Sequence, residues 1–347
     1  SASVQQQFPG NVSFEVSYVY NKPTELEVNR NLDLLPANYY ATGTDYATNL
    51  ANQTALTKQV PNPMYKQLPA GSSSSLTGAT IQQQLLYVPF PEFTSVTELG
   101  SSIGSQRYDA LQIQVRKPMR HHLDIQGNFT WNKLMNRNFY LDNYATALNQ
   151  LAYVQDPGAT LIAKVFGTVE LPKFEASPAY QRLLLGGWKL NAVMRAQNGS
   201  LVSAPGGVDQ IGDPTAAPRN FQRFFNTCYL NTAGAVVVTS GTSYACDAQS
   251  PATNPAYRQR LSFTVQRNYP YINERQRIYP LVDLSAFKQF ILREGVSFEI
   301  RGAFYNVGNR PNFGGPNTGI GSSGYGAVAL TQANDPRIGE LTARINF

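Results

Sequence analysis

Apolar and polar residues alternate with a period of two in nine separate stretches of this chain. The last stretch, 337–347, reads R-I-G-E-L-T-A-R-I-N-F. It puts Gly339, Leu341, Ala343, Ile345 and Phe347 on one face and Glu340, Thr342, Arg344 and Asn346 on the other. In 11–20, Val12, Phe14, Val16, Tyr18 and Tyr20 oppose Asn11, Ser13, Glu15 and Ser17; after a turn at Asn21-Lys22-Pro23 the alternation resumes over 24–30 through Leu26 and Val28. The same pattern marks 107–117 (Leu111, Ile113, Val115), 122–132 (Leu123, Ile125, Phe129, Trp131), 162–171 (Val165, Val169) and 187–197 (Trp188, Leu190, Met194). It returns in 281–292 (Val282, Leu284) and 295–307 (Phe298, Ile300, Phe304), which are joined by a tight Arg293-Glu294-Gly295 turn. Side chains alternate across a strand, so each stretch predicts a strand with one apolar and one polar face.

Two regularities select the fold class. Each predicted strand is about ten residues long, which suits a tilted strand crossing a bilayer. Short turns also alternate with long polar connections, and a soluble sandwich has no need of that alternation. The expectation is all-β: an antiparallel transmembrane β-barrel segment over 1–347, with short periplasmic turns and long extracellular loops. The stretch 31–106 holds Pro61-Asn62-Pro63 and the run Gly71-Ser72-Ser73-Ser74-Ser75, and no helix is expected in it; 198–280 reads as the longest irregular region. If the terminal strand ends at the periplasm, nine strands put the first one's start outside, whereas bacterial single-chain barrels have even counts and both ends inside. A segment upstream, or a strand hidden in a loop, is therefore expected. Within 260–267, Leu261, Phe263 and Val265 are the candidates for such a strand.

Composition narrows the function classes. Charged residues are 14% of 347, with 20 Tyr and 18 Phe, which argues against disorder, and the +6 formal charge is spread too thinly to follow a nucleic acid. No run of eighteen apolar residues is present, which excludes a transmembrane helix but not a barrel. Ser1 follows no recognisable signal sequence, so the chain is expected to be processed or internal to something longer. The two cysteines, Cys228 and Cys246, share one polar loop and predict a disulfide in an oxidising compartment, with two unpaired thiols as the alternative.

Candidate chemistry is sparse. The only histidines, His121 and His122, are adjacent in a predicted turn with no orienting carboxylate, so they read as a solvated turn rather than part of a triad or metal site. Glu25 and Glu27, with Glu15 nearby, read as an acidic lumen patch rather than a glycosidase pair. Gly314-Gly315 and the glycines of 319–326 precede no helical periodicity and read as loop glycines. Arg116, Lys189, Arg195, Arg301 and Arg344 fall on polar faces and are expected to line a barrel interior or contact a plug. No enzyme activity and no cofactor are expected.

Six segments carry a family resemblance: Y-D-A-L-Q-I-Q-V-R-K (108–117), G-N-F-T-W-N-K (127–133), G-G-W-K-L-N-A-V-M-R-A-Q-N-G (186–199), V-D-L-S-A-F-K-Q-F (282–290), F-E-I-R-G-A-F-Y-N-V-G-N-R-P-N-F-G (298–314) and D-P-R-I-G-E-L-T-A-R-I-N-F (335–347). Together they resemble the C-terminal barrel of Oar-like TonB-dependent outer-membrane receptors, which have a carboxypeptidase-regulatory-like N-terminal domain. The resemblance implies energised uptake of a bulky nutrient (a glycan, peptide or siderophore-like ligand), with TonB, ExbB and ExbD acting through a plug that this chain lacks. It also implies outer-membrane lipid as surroundings. Phe347, with Leu341, Ala343 and Ile345, would be the aromatic C-terminal signal read by the barrel assembly machinery. One departure is local: Asp156-Pro157-Gly158 stands without the His-Arg that usually follows in the family. Passive porin and structural or adhesive surface protein are the alternatives.

Overall fold

The computed structural model describes residues 1–67, 76–216, 220–237, 255–266 and 268–347. One large antiparallel sheet organises them. Its strands are β1 (Ala2–Phe8), β2 (Val12–Asn21), β3 (Thr24–Asn31), β4 (Thr97–Arg120), β5 (Leu123–Arg137), β6 (Leu161–Glu170), β7 (Lys189–Gln197), β8 (Leu281–Arg293), β9 (Val296–Tyr305) and β10 (Ile338–Asn346). The wall runs β1-β2-β4-β5-β6-β7-β8-β9-β10, with β3 and Val154–Gln155 paired onto the outer parts of β4 and β5. Among the described residues the sheet is not closed: β1 pairs only with β2, and β10 only with β9.

Register decides the faces, because directly opposed residues project to the same side. Val16 faces Ile113, Ile113 faces Phe129, and Gly167 faces Ala192. Ala286 faces Gly302, and Gly302 faces Leu341. The apolar positions of all the strands thus form one continuous band. On the opposite face Asn191 meets Thr168 and Ser285, and Glu299 meets Arg344. A one-residue slip anywhere would swap the two faces, so the band itself pins the register.

The tight turns lie at one end of the wall. Gly10 and Asn11, His121 and His122, and Gly295 all have positive φ there. Two consecutive left-handed residues are what a two-residue hairpin needs to match the strand twist. His121 and His122 supply that geometry between Arg120 and Leu123. They stand exposed in the turn.

The structure corrects several sequence expectations. The segment 24–30 is not a separate wall strand: β2 pairs with 108–116 of β4, and β3 continues in line, from Thr24 opposite Ser105 to Asn31 opposite Thr97. Pro23 lacks an N–H but does not reverse the chain; its carbonyl accepts from Gln106 N at 3.0 Å, and the ladder resumes through bulges and a left-handed Glu25. The count of nine survives only because β1 supplies a strand that Gln5, Gln6 and Gln7 hide from a hydrophobic-period reading. The strands expected at 107–117 and 122–132 run on at the loop end, where β4 reaches 24 residues and β5 reaches 15. The stretch 31–106 does contain a helix, α1 (Tyr46–Thr57), capped by Asp45, whose carboxylate accepts from Thr48 N at 2.9 Å. No strand forms over the described part of 260–267: Phe263 is left-handed and Thr264 Oγ1 donates to Leu261 O, closing a turn; position 267 lies outside the described residues, as does the Gly71–Ser75 run.

Nor is the described part of 198–280 merely irregular. With the loop after β9 it packs a core of Val202, Val208, Phe224, Phe225, Tyr229, Tyr257, Ile272, Tyr325 and Val328. Short strands brace it: Leu201–Ser203 with Tyr271–Arg275, and Val208–Gln210 with Tyr257–Gln259. Polar loop sequence concealed this because half of the core comes from aromatic residues scattered over about 100 positions.

Candidate functional site

Two surfaces have the makings of a site: the polar face of the wall and the cap formed by the long loops. On the wall, Lys189 meets Glu170 at 2.5 Å, and Arg195 stands 3.6 Å from Asp283. Between them a depression of about 370 Å³ is lined by Asp124, Thr168, Asn191, Arg195, Asp283 and Arg301. These charges come from five strands, and alternation alone brings them to one face. All these pairs are partly exposed, so each is worth about 0–1 kcal/mol, and their value is orientation rather than stability.

The loops are tied to one another above the wall. The Arg30 guanidinium donates to Thr146 O and Ala147 O at 3.0 Å each, joining β3 to α2 (Asn143–Ala147). Arg275 donates to Gly158 O at 3.0 Å and Gly199 O at 2.8 Å. Ala41 bridges to Thr264, and Tyr46 lies under Arg258 with 4.5 Å from guanidinium to ring. Tyr269 OH accepts from Gln155 N at 2.7 Å. The cap is thus a knitted unit, not a set of independent loops.

A second cluster of Leu35, Tyr40 and Leu56, with Tyr39, Tyr87, Tyr144 and Phe263 against it, borders a cavity of about 220 Å³. Asp33, Gln84, Phe93 and Asn143 are part of its lining, with the apolar Leu34, Leu85, Val88 and Pro91. Burial, reinforced by the Asp142 carboxylate, pushes the Tyr40 phenol up to about 12. Tyr39 and Tyr87 stack at 4.4 Å. Mixed aromatic and amide linings of this kind suit ligands that offer both apolar faces and hydroxyl or amide groups.

The structure disperses the remaining sequence candidates. Glu15 sits on the polar face of β2, while Glu25 and Glu27 belong to the in-line β3 beyond it. Cys228 is fully buried, its carbonyl accepting from Ala256 N at 2.9 Å, and its predicted partner Cys246 lies outside the described residues. Leu341, Ala343 and Ile345 line up on the apolar face at the free edge, and Phe347 follows the end of β10, 94% exposed. Among the described residues, no three His, Cys, Asp or Glu side chains gather to hold a metal ion. Reasoning from sequence missed the loop cap; its signal was the tyrosine-rich composition of stretches read only as polar.

The profile of the outer membrane beta-barrel domain matches residues 1–340. The chain belongs to that family. As an outer-membrane barrel domain it turns its apolar band to lipid and its polar face to the lumen, with tight turns at the periplasm and the cap outside. Tyr18, Tyr20 and Trp131 then form an aromatic girdle at the outer edge of the band, where Tyr18 OH donates to Asp109 at 2.7 Å and Arg107 meets Asp109 at 2.8 Å. Among solved structures, the outer membrane transporter YddB from Escherichia coli is similar at 10% identity and a TM-score of 0.42, with 99% of this chain and 31% of that chain covered. The chain thus spans about a third of that transporter's length. No curated protein matches the sequence.

Proposed function

We propose that this barrel domain is the wall and outer vestibule of an Oar-like TonB-dependent receptor, taking up a bulky nutrient such as a glycan, peptide or siderophore-like molecule. The observation that carries the reading is the knitted cap: loops tied by Arg30 and Arg275 preorganise a mixed aromatic and polar surface above a charged lumen wall. A passive pore has little use for such a lid, whereas a receptor binds before it transports. The lumen charges Arg195, Asp283 and Arg301 would hold a plug, through which TonB, ExbB and ExbD supply the force. Cys228 would pair with Cys246 to staple the cap, and the C-terminal Leu341, Ala343, Ile345 and Phe347 would be read by the assembly machinery. A surface structural or adhesive protein is the second reading, favoured by the amount of chain invested in the cap.

The test is uptake by cells expressing the full-length protein, measured with and without an intact TonB system. Ligand accumulation that collapses when TonB is removed supports the proposal. Accumulation that persists unchanged indicates a passive pore, and no accumulation of any candidate ligand with intact surface attachment indicates an adhesin.

A further inference from the structure

The connection between β6 and β7 contains a short helix, α3 (Ala179–Leu185), at the periplasmic end of the wall. Tyr180, Leu183, Leu184 and Leu185 are all exposed, at 57–64%. Spacings of three and four place Tyr180, Leu183 and Leu184 on one helical face. The helix does not project into the periplasm. It folds back over the outside of the barrel, as a lysine beneath it reveals.

Lys288 belongs to β8 and follows Leu284 and Ala286 on the lipid-facing side, as the pairings of Ala286 with Leu190 and of Phe290 with Phe298 require. A lysine on that face would normally confront hydrocarbon, yet it is only 5% exposed. Its ammonium donates to Arg182 O at 3.2 Å and to Leu183 O, the carbonyls of the last turn of α3, and stands 5.0 Å from the Phe290 ring centre. Carbonyls at a helix C-terminus carry partial negative charge; Arg182 O also accepts from Gly186 N at 3.2 Å, and the ammonium adds a charged donor to this helix end. Trp188, which lines the apolar band beside Leu190, donates from Nε1 to Leu184 O at 2.8 Å. Two side chains of the lipid-facing wall therefore clasp the helix backbone, and its apolar side chains are left to point outward.

We infer that α3 is a lipid-anchoring strap on the outer wall: its Tyr180, Leu183, Leu184 and Leu185 insert into the acyl-chain boundary of the periplasmic leaflet, and Lys288 is the clasp that holds it there. Three features select lipid as the occupant. Trp188, whose indole binds the helix end, lines the apolar band that the barrel presents to the bilayer. The exposed cations Lys173 and Arg182 flank it, where they meet lipid phosphates. Trp188 marks the depth at which indoles settle in membranes.

The test uses the full-length protein reconstituted in phosphatidylethanolamine–phosphatidylglycerol vesicles, with an environment-sensitive fluorophore on Leu184→Cys. Nitroxide placed near the carbonyl end of lipid acyl chains should quench it about twofold or more, while aqueous iodide should leave it nearly unaffected. In the Lys288→Met background the strap should come loose, with lipid quenching reduced by at least about half and iodide quenching regained. Lys288→Arg should restore the wild-type pattern by donating to the same carbonyls. Free access of iodide without lipid quenching in the parent protein would overturn the anchor. Shielding from both quenchers would overturn it too, by placing a protein partner there. Unchanged quenching in Lys288→Met would overturn the clasp.

Discussion

Tyr325 offers a substitution whose two versions should move stability in different directions. The side chain is 1% exposed in the larger core of the cap, with the rings of Phe225 and Tyr229 edge-on at 5.6 and 6.3 Å. Its hydroxyl is buried without a hydrogen-bond partner, and burial together with Tyr257 and Tyr229 holds the phenol far above its ordinary range. Tyr325→Phe removes only the unpartnered oxygen. No hydrogen bond is lost, and the desolvation cost of an unmatched hydroxyl, about 1–3 kcal/mol, disappears, so the cap should hold or tighten. Tyr325→Ala removes the ring and should cost about 3–5 kcal/mol, as large aromatic truncations in cores do. Hydrogen exchange in the refolded full-length protein reads the difference at Phe224 N, which donates to Gly326 O at 2.9 Å, and at Val328 N, which donates to Phe221 O at 2.7 Å. Protection there should fall by about two to three and a half orders of magnitude in Tyr325→Ala, taking about 1.4 kcal/mol per tenfold, and should not fall in Tyr325→Phe. A loss of more than about tenfold in Tyr325→Phe would refute the reasoning, because the hydroxyl would then have a partner such as an ordered water.

Three further outcomes follow. Tyr40 ionises with its pKa raised to about 12, above the ordinary value of about 10, so the cluster around it keeps its full stability below pH 10 and loses it as pH rises towards 12; tyrosinate absorbance should appear in step with loosening of the Leu35–Leu56 region, and titration at the ordinary value would contradict the burial. Cys228→Ser with Cys246→Ser should loosen the cap, by about 2–5 kcal/mol on the scale of small stapled domains, while heat-modifiable migration shows the barrel still assembled; failure to assemble would make the pair essential to folding. Each of the eight successive pairings along the wall is antiparallel, so β1 and β10 point the same way, and an imaged full barrel should place an odd number of further strands between them. An even number would need a parallel seam, and two copies of this chain inserted in one orientation cannot avoid such seams.

The wall was legible in the sequence because its physics is local. Val12 through Tyr20, or Val296 through Phe304, announce a two-faced strand residue by residue, and the alternation of short and long connections gives the fold class. Errors arose where a local cue had two structural uses. Pro23 looked like a reversal but only interrupts a ladder, and Gln5, Gln6 and Gln7 hid an edge strand whose polar residues tolerate either face. Asp45 with Thr48 was a readable helix cap that a strand-centred reading passed over. The cap and the strap were illegible for a different reason. Their contacts, Arg275 to Gly158 or Lys288 to Arg182, join residues about 106–117 positions apart, and nothing in either segment's own period reports them.

On the proposed function the charged lumen wall belongs to a plugged, energised receptor rather than an open pore. The full-length protein in a planar bilayer tests it most directly, through ion conductance before and after mild urea treatment, which loosens a plug while the barrel persists. Near-zero conductance that opens reversibly in urea is expected. A steady open-channel conductance in buffer alone would contradict the claim and move the passive porin to the front.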